Sequence, residues 1–168
     1  MNMTTGANVE VLGCTVLYFS YSQVIAFDDC ETQPGSLWTV RHVKQGFVRR
    51  PHSVGIGMIS EYGEARLRVY NGKVTRHEEY DRIVSVPIEI VSGVLHFEGP
   101  EECNVERVIH LNPGTYTLCV AQCNEDNFVR VDVFVESVLG NDCRSSIIKA
   151  DSKMATHSDL LEDGEVAR

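Results

Sequence analysis

The sequence predicts an all-β protein, an antiparallel β-sandwich of jelly-roll type with about nine strands and one short helix. Three observations carry this. Apolar and polar residues alternate with period two over several stretches, which is the pattern of strands with one buried face. Glycine, asparagine and proline pairs punctuate those stretches at the short spacing of a sandwich. Only one segment has helical signals at both ends.

The clearest strand is the run in which Val129, Val131, Val133 and Val135 alternate with Phe128, Arg130, Asp132, Phe134 and Glu136. Four valines share one face, and two rings join the charged groups on the other. Ala65, Leu67 and Val69 alternate with Arg66, Arg68 and Tyr70, and Val84, Val86, Ile88 and Ile90 alternate with Ser85, Pro87 and Glu89. Proline cannot donate to a ladder, so Pro87 marks an edge or a bulge. Ser92-Gly93 reads as a two-residue hairpin turn from Val91 into Val94–Glu98. Asn112-Pro113-Gly114 separates Val105–Leu111 from Thr115–Gln122, Asn71-Gly72 closes the Leu67 strand, and Asn124–Asn127 closes the Val120 strand. Val11–Ser20, Gln23–Asp28 and Ser53–Ser60 complete the set.

The exception is Ser36–Gly46. Ser36 or Thr39 supplies a cap, and Gly46 a left-handed stop. Trp38 and Val43, with Phe47 beyond, give this short helix an apolar side, so Trp38 is expected to anchor it. The sandwich domain spans residues 1–138. Beyond Leu139 the alternation ends, and 139–168 is expected to be a flexible C-terminal tail.

Composition excludes several function classes. Hydrophobic residues make up 43% of the 168 residues, enough for one core. The net charge is −9, which disfavours direct binding to a phosphate backbone and favours a basic protein partner. No apolar run is long enough for a membrane helix, and the N-terminus lacks the features of a secretion signal. A cytoplasmic setting follows, with the six cysteines reduced. Cys119 and Cys123 lie four apart on one strand, too far for a disulfide.

No residue earns a catalytic or metal-binding role, and no cofactor is implied. The histidines, at 42, 52, 77, 96, 110 and 157, show no ligand spacing. No nucleophile elbow or phosphate loop is present. Carboxylates do gather in expected loops: Asp28, Asp29 and Glu31; Glu61 and Glu64; Glu78, Glu79 and Asp81; Glu101, Glu102 and Glu106; Glu125 and Asp126. Sandwich loops collect at two ends, so several of these acids could form one rim. Such a rim suits a partner rich in lysine and arginine, or calcium, or it is simply solvated.

Five stretches in order resemble the competence protein J family. They are FSYSQVIAFDD (Phe19–Asp29), the Trp38–Phe47 helix segment, the strand pair SVGIGMIS and ARLRVYNG, VSVPIEIVSGVLHFEG (Val84–Gly99) and VIHLNPGTYTLCVAQ (Val108–Gln122). The similarity runs over about residues 15–138. It implies a non-enzymatic inhibitor of a DNA-entry nuclease, acting by masking the nuclease's basic cleft. Asp28, Asp29, Glu78, Glu79, Asp81, Glu125 and Asp126 are the expected partner-binding residues. The alternative is a calcium- or carbohydrate-binding β-sandwich module.

Overall fold

The computed structural model describes residues 9–100, 108–140, 143–155 and 159–167. Glu101, Glu102, Glu106, Cys103, His157 and the start of the Val105–Leu111 run lie outside the described residues. Two sheets face each other. The first has six strands in the order β1 (Glu10–Phe19), β5 (Gly63–Asn71), β10 (Val129–Ser137), β9 (Gly114–Asn124), β6 (Arg82–Ile90) and β11 (Ser146–Lys149). The second runs β3 (Phe47–Arg50), β4 (Ser53–Gly57), β2 (Gln23–Asp28), β7 (Val94–Glu98) and β8 (Val108–His110). The nine expected strands are present, and β3 and β11 are additions.

The alternation predicts the faces correctly. Leu67, Val131, Val133, Val120 and Val86 from the first sheet meet Val24, Ala26, Ile56, Leu95 and Phe97 from the second in one core. A smaller cluster, Tyr80, Ile83, Cys119, Ala121 and Phe134, covers the outer face of the six-stranded sheet. There Phe134 stacks on Tyr70 with ring centroids 5.1 Å apart.

Three expectations change. The sheets are not wholly antiparallel, because β10 pairs with β5 in parallel, Val131 opposite Leu67. Ser92-Gly93 is not a hairpin turn, because β6 and β7 belong to different sheets; it is a corner between layers, as is Asn112-Pro113-Gly114 between β8 and β9. Finally, the segment expected to hang as a tail packs against the sandwich. β11 pairs with β6, Ser146 opposite Ser85. Met154 is buried and Leu160 packs against the core. Gly164 donates its N–H to the Arg49 carbonyl on the edge strand β3 at 2.7 Å. The anchors are mostly hydrogen bonds and ion pairs, so apolar periodicity could not reveal them.

Pro87 sits where β11 no longer covers β6. Its carbonyl, pointing away from β9, accepts a hydrogen bond from Arg49 Nε at 3.1 Å. The edge placement that proline requires is thereby met. The β3 strand escaped notice because FVRR reads as polar, yet Arg50 is 8% exposed. Its guanidinium donates to Ser36 Oγ, Glu31 and the Gln33 and Gly35 carbonyls, which satisfies the buried charge.

The helix α1 (Val40–Gln45) forms where expected, with Thr39 as N-cap, reciprocal Thr39–His42 capping bonds and Gly46 left-handed at φ 86. Its burial is inverted relative to the expectation. His42 and Gln45 face inward, whereas Val40 and Val43 are 70% and 61% exposed. Gln45 is held by the Phe47 carbonyl and by both backbone groups of Leu161. The docked C-terminal segment thus turns a polar residue inward.

Candidate partner-binding surface

The seven expected carboxylates do not share one rim. Asp28 is fully buried. Its carboxylate accepts the N–H groups of Cys30 at 2.9 Å, Val91 at 3.0 Å and Ser92 at 3.1 Å, and the Ser92 hydroxyl at 2.9 Å. Burial pushes its pKa up, but the hydrogen bonds from Cys30 and Ser92 outweigh that and hold it below the usual carboxylate range. Asp28 is therefore a corner brace rather than a contact residue. Asp29, beside it, is exposed and lies 2.7 Å from His96 Nε2.

The other five gather at the far end. Arg82–Ile90 separates the two groups, a strand of nine residues and so roughly 27 Å long at ~3.4 Å per residue. Glu78 and Glu79 form a single 3-10 turn with His77. Asp81 Oδ2 accepts the Asn124 N–H at 2.9 Å, which fixes the turn carrying Glu125 and Asp126. Ser60 Oγ donates to Asn124 Oδ1 at 3.2 Å, and this brings Glu61 to the same end. Glu61, Glu78, Glu79, Asp81, Glu125 and Asp126 are all exposed there.

One arginine organises this end. Arg130 lies 3.7 Å from Glu79, 3.8 Å from Glu125 and 3.5 Å from Asp132. Its guanidinium stands over the Tyr80 ring at 5.1 Å, and the Tyr80 hydroxyl donates to Asp132 at 2.7 Å. Burial, and next the Asp132 hydrogen bond, push the Tyr80 phenol up, keeping it a donor. The only signal in the sequence was the place of Arg130 and Asp132 on the polar face of their strand. A groove of about 710 Å³ adjoins this network and is lined by Cys14, Arg66, Arg68, Phe128 and Arg130 among others. Arg66 stacks over Phe128 at 3.9 Å and pairs with Glu64 at 3.3 Å. Its charges are largely compensated within the chain.

A second cleft, about 590 Å³, opens beside the carboxylate end and includes Tyr21, Gln23, Trp38, Val43 and Glu61 in its lining. Trp38 Nε1 donates to Gln23 Oε1 at 2.9 Å. The indole lies against Gly55, where an added Cβ would come within 2.9 Å of the ring. Trp38 is half-buried, with one face on the sheet. Tyr21 and Ser22, at φ 54 and 55, are both left-handed without being glycine, at a cost of roughly 1–2 kcal/mol each. Bonds from Ser22 N to the Glu61 carbonyl and from Met58 N to the Ser22 carbonyl, both 2.8 Å, hold the turn. Tyr21 is left 78% exposed.

Two thiols are held protonated. The Asp28 carboxylate holds Cys30 up at about 11, and burial pushes Cys119 up to about 12. Neither is a thiolate at neutral pH, as a cysteine nucleophile must be. Among the described residues no three His, Cys, Asp or Glu side chains converge to hold a metal ion, and no helix is long and apolar enough to cross a membrane.

The sequence profile of the family described as Competence protein J (ComJ) matches residues 16–142. The chain belongs to the competence protein J family. The fold is similar to the crystal structure of ComJ, inhibitor of the DNA degrading activity of NucA, from Bacillus subtilis. The TM-score is 0.62 at 19% identity, with 79% of this chain and 100% of that chain covered. A protein described as crocagin biosynthetic gene J matches with TM-score 0.48 at 16% identity, over 75% of this chain and 97% of that chain. No curated protein matches. The ComJ profile ends before β11, so the docked C-terminal segment lies outside the matched region.

Proposed function

We propose that this ComJ-family chain is a non-catalytic inhibitor that binds a DNA-degrading nuclease and masks its basic cleft. The observation that carries the reading is the gathering of Glu61, Glu78, Glu79, Asp81, Glu125 and Asp126 at one end of the sandwich. The Bacillus subtilis relative of the same fold inhibits the DNA degrading activity of NucA. A nuclease cleft must be cationic to hold phosphates, so a surface of carboxylates competes for the same lysines and arginines through charge-assisted hydrogen bonds. The net charge of −9 adds long-range attraction that speeds the encounter. Asp29 lies at the other end and Asp28 is buried, so neither takes part.

The test is titration into NucA digesting plasmid DNA, with association rates measured from low to high salt. Stoichiometric protein suppresses digestion. The double substitution Glu125→Lys/Asp126→Lys slows association at low salt by roughly tenfold or more. Raising salt from ~0.01 to ~1 M shortens the screening length from about 30 to about 3 Å and removes most of that difference. Undiminished digestion would sink the inhibitor reading. Inhibition with an on-rate deaf to salt and charge reversal would leave shape, not charge, as the means of masking.

A further inference from the structure

The cleft between the Tyr21 turn and α1 is bordered by two aromatic rings and a carboxylate. Its turn keeps two residues left-handed, Tyr21 and Ser22, where glycine would sit without strain. The turn presents an outward tyrosine ring, 78% exposed. That ring borders a cleft with the half-buried Trp38 indole, the exposed Val43 and the Glu61 carboxylate. Of the two cations in the lining, Arg82 has a carboxylate partner and Lys153 is turned to a backbone carbonyl. Arg82 pairs with Asp151 at 2.8 Å and donates to the Gly57 carbonyl, and Lys153 Nζ donates to the Ile59 carbonyl at 3.1 Å. Glu61, among the described residues, pairs with no cation of this chain. Two aromatic rings and a carboxylate held in no ion pair border one cleft, a setting for a cation on a flexible stem.

The cleft is continuous with the carboxylate end, because Ser60 both lines it and bonds to Asn124 beside Glu125. Interfaces of this kind place a few aromatic anchors near the centre and charged groups at the rim. We propose that the Tyr21–Trp38–Glu61 cleft is the anchor pocket of the inhibitor interface and takes a lysine or arginine side chain of the nuclease. This inference rests on the nuclease-inhibitor reading above and adds to it the residues that govern complex lifetime, whereas the carboxylates of the rim other than Glu61 govern encounter.

Tyr21→Gly separates binding from folding, because glycine relieves the left-handed strain while removing the ring. The variant keeps or gains thermal stability and binds NucA more weakly by roughly tenfold or more, through faster dissociation. Glu61→Gln also weakens the complex. The double variant loses less than the product of the two single effects, since both groups hold one cation. Trp38 emission shifts to shorter wavelength in complex with a tryptophan-free variant of NucA. Unchanged affinity in Tyr21→Gly, with inhibition intact in the parent protein, overturns the anchor pocket and leaves the inhibitor reading standing. Weakening by Tyr21→Gly with no effect of Glu61→Gln overturns the cation seat in favour of apolar docking. Failure of the parent protein to bind NucA overturns both readings.

Discussion

Replacing Asp28 by alanine separates the two roles that a loop aspartate can play. The side chain is fully buried and receives three backbone N–H groups and one hydroxyl. Asp28→Ala strands the donors of Cys30, Val91 and Ser92 at the corner where β6 leaves one sheet and β7 enters the other. An unmet buried donor costs about 1–3 kcal/mol. Cys30, Val91 and Ser92 are themselves exposed, so water reaches these groups and the low figure applies to each. The sum is about 3 kcal/mol, or about 6–12 °C in Tm for a chain of this length. The pH dependence has a definite sign. The folded pKa lies below the ordinary value of 3.8, so the carboxylate stabilises the fold above about that pH, and this is lost as pH falls through the folded value. The gap in Tm between parent and variant is therefore full at neutral pH and narrows below about pH 3.8. Differential scanning calorimetry between pH 2 and 7 measures it. Once folded, the variant associates with NucA at the parental rate. An unchanged Tm together with slowed association would refute the brace and return Asp28 to the contact surface.

Two further outcomes follow from the same geometry. Asp151→Ala leaves Arg82, which is 4% exposed, without the carboxylate it pairs with at 2.8 Å; a buried charge left without its partner costs about 3–5 kcal/mol, read as a lower urea midpoint. A midpoint equal to the parent's would mean that this pair does not hold the C-terminal segment. Burial, and then Arg41, lower the His42 pKa from 6.5, so the neutral ring is the stabilising form. Stability falls as pH drops below about 6.5, and His42→Gln, which keeps a capping acceptor, removes that slope from thermal melts.

Much of the fold was legible because a strand's side chains alternate strictly. Val129 to Val135 and Val84 to Ile90 declared their inner faces, and Thr39 and Gly46 marked the ends of α1. The family likewise followed from collinear stretches of sequence. Local signals could not say which sheet a strand joins. Ser92-Gly93 has the composition of a hairpin turn, and only the pairing of β7 with β2 makes it a corner braced by Asp28. The parallel β5–β10 pairing joins strands far apart in the chain, and no turn announces it. β11 and the segment after it depend on Asp151, Glu162 and backbone bonds, which carry no hydrophobic period.

The sequence by itself determined a β-sandwich, its inward residues, its acidity and the absence of any recognisable nucleophile or metal motif. Tertiary structure alone decided which carboxylates meet. Asp28 and Asp81 both look like loop acids in sequence, but a nine-residue strand holds their groups at opposite ends. Tyr21, Trp38 and Glu61 come together only because a left-handed turn, the residue before the N-cap of α1 and the loop after β4 converge. The reason is physical: periodicity and capping act over a few residues, whereas a surface is assembled from long-range pairings whose register no local pattern encodes.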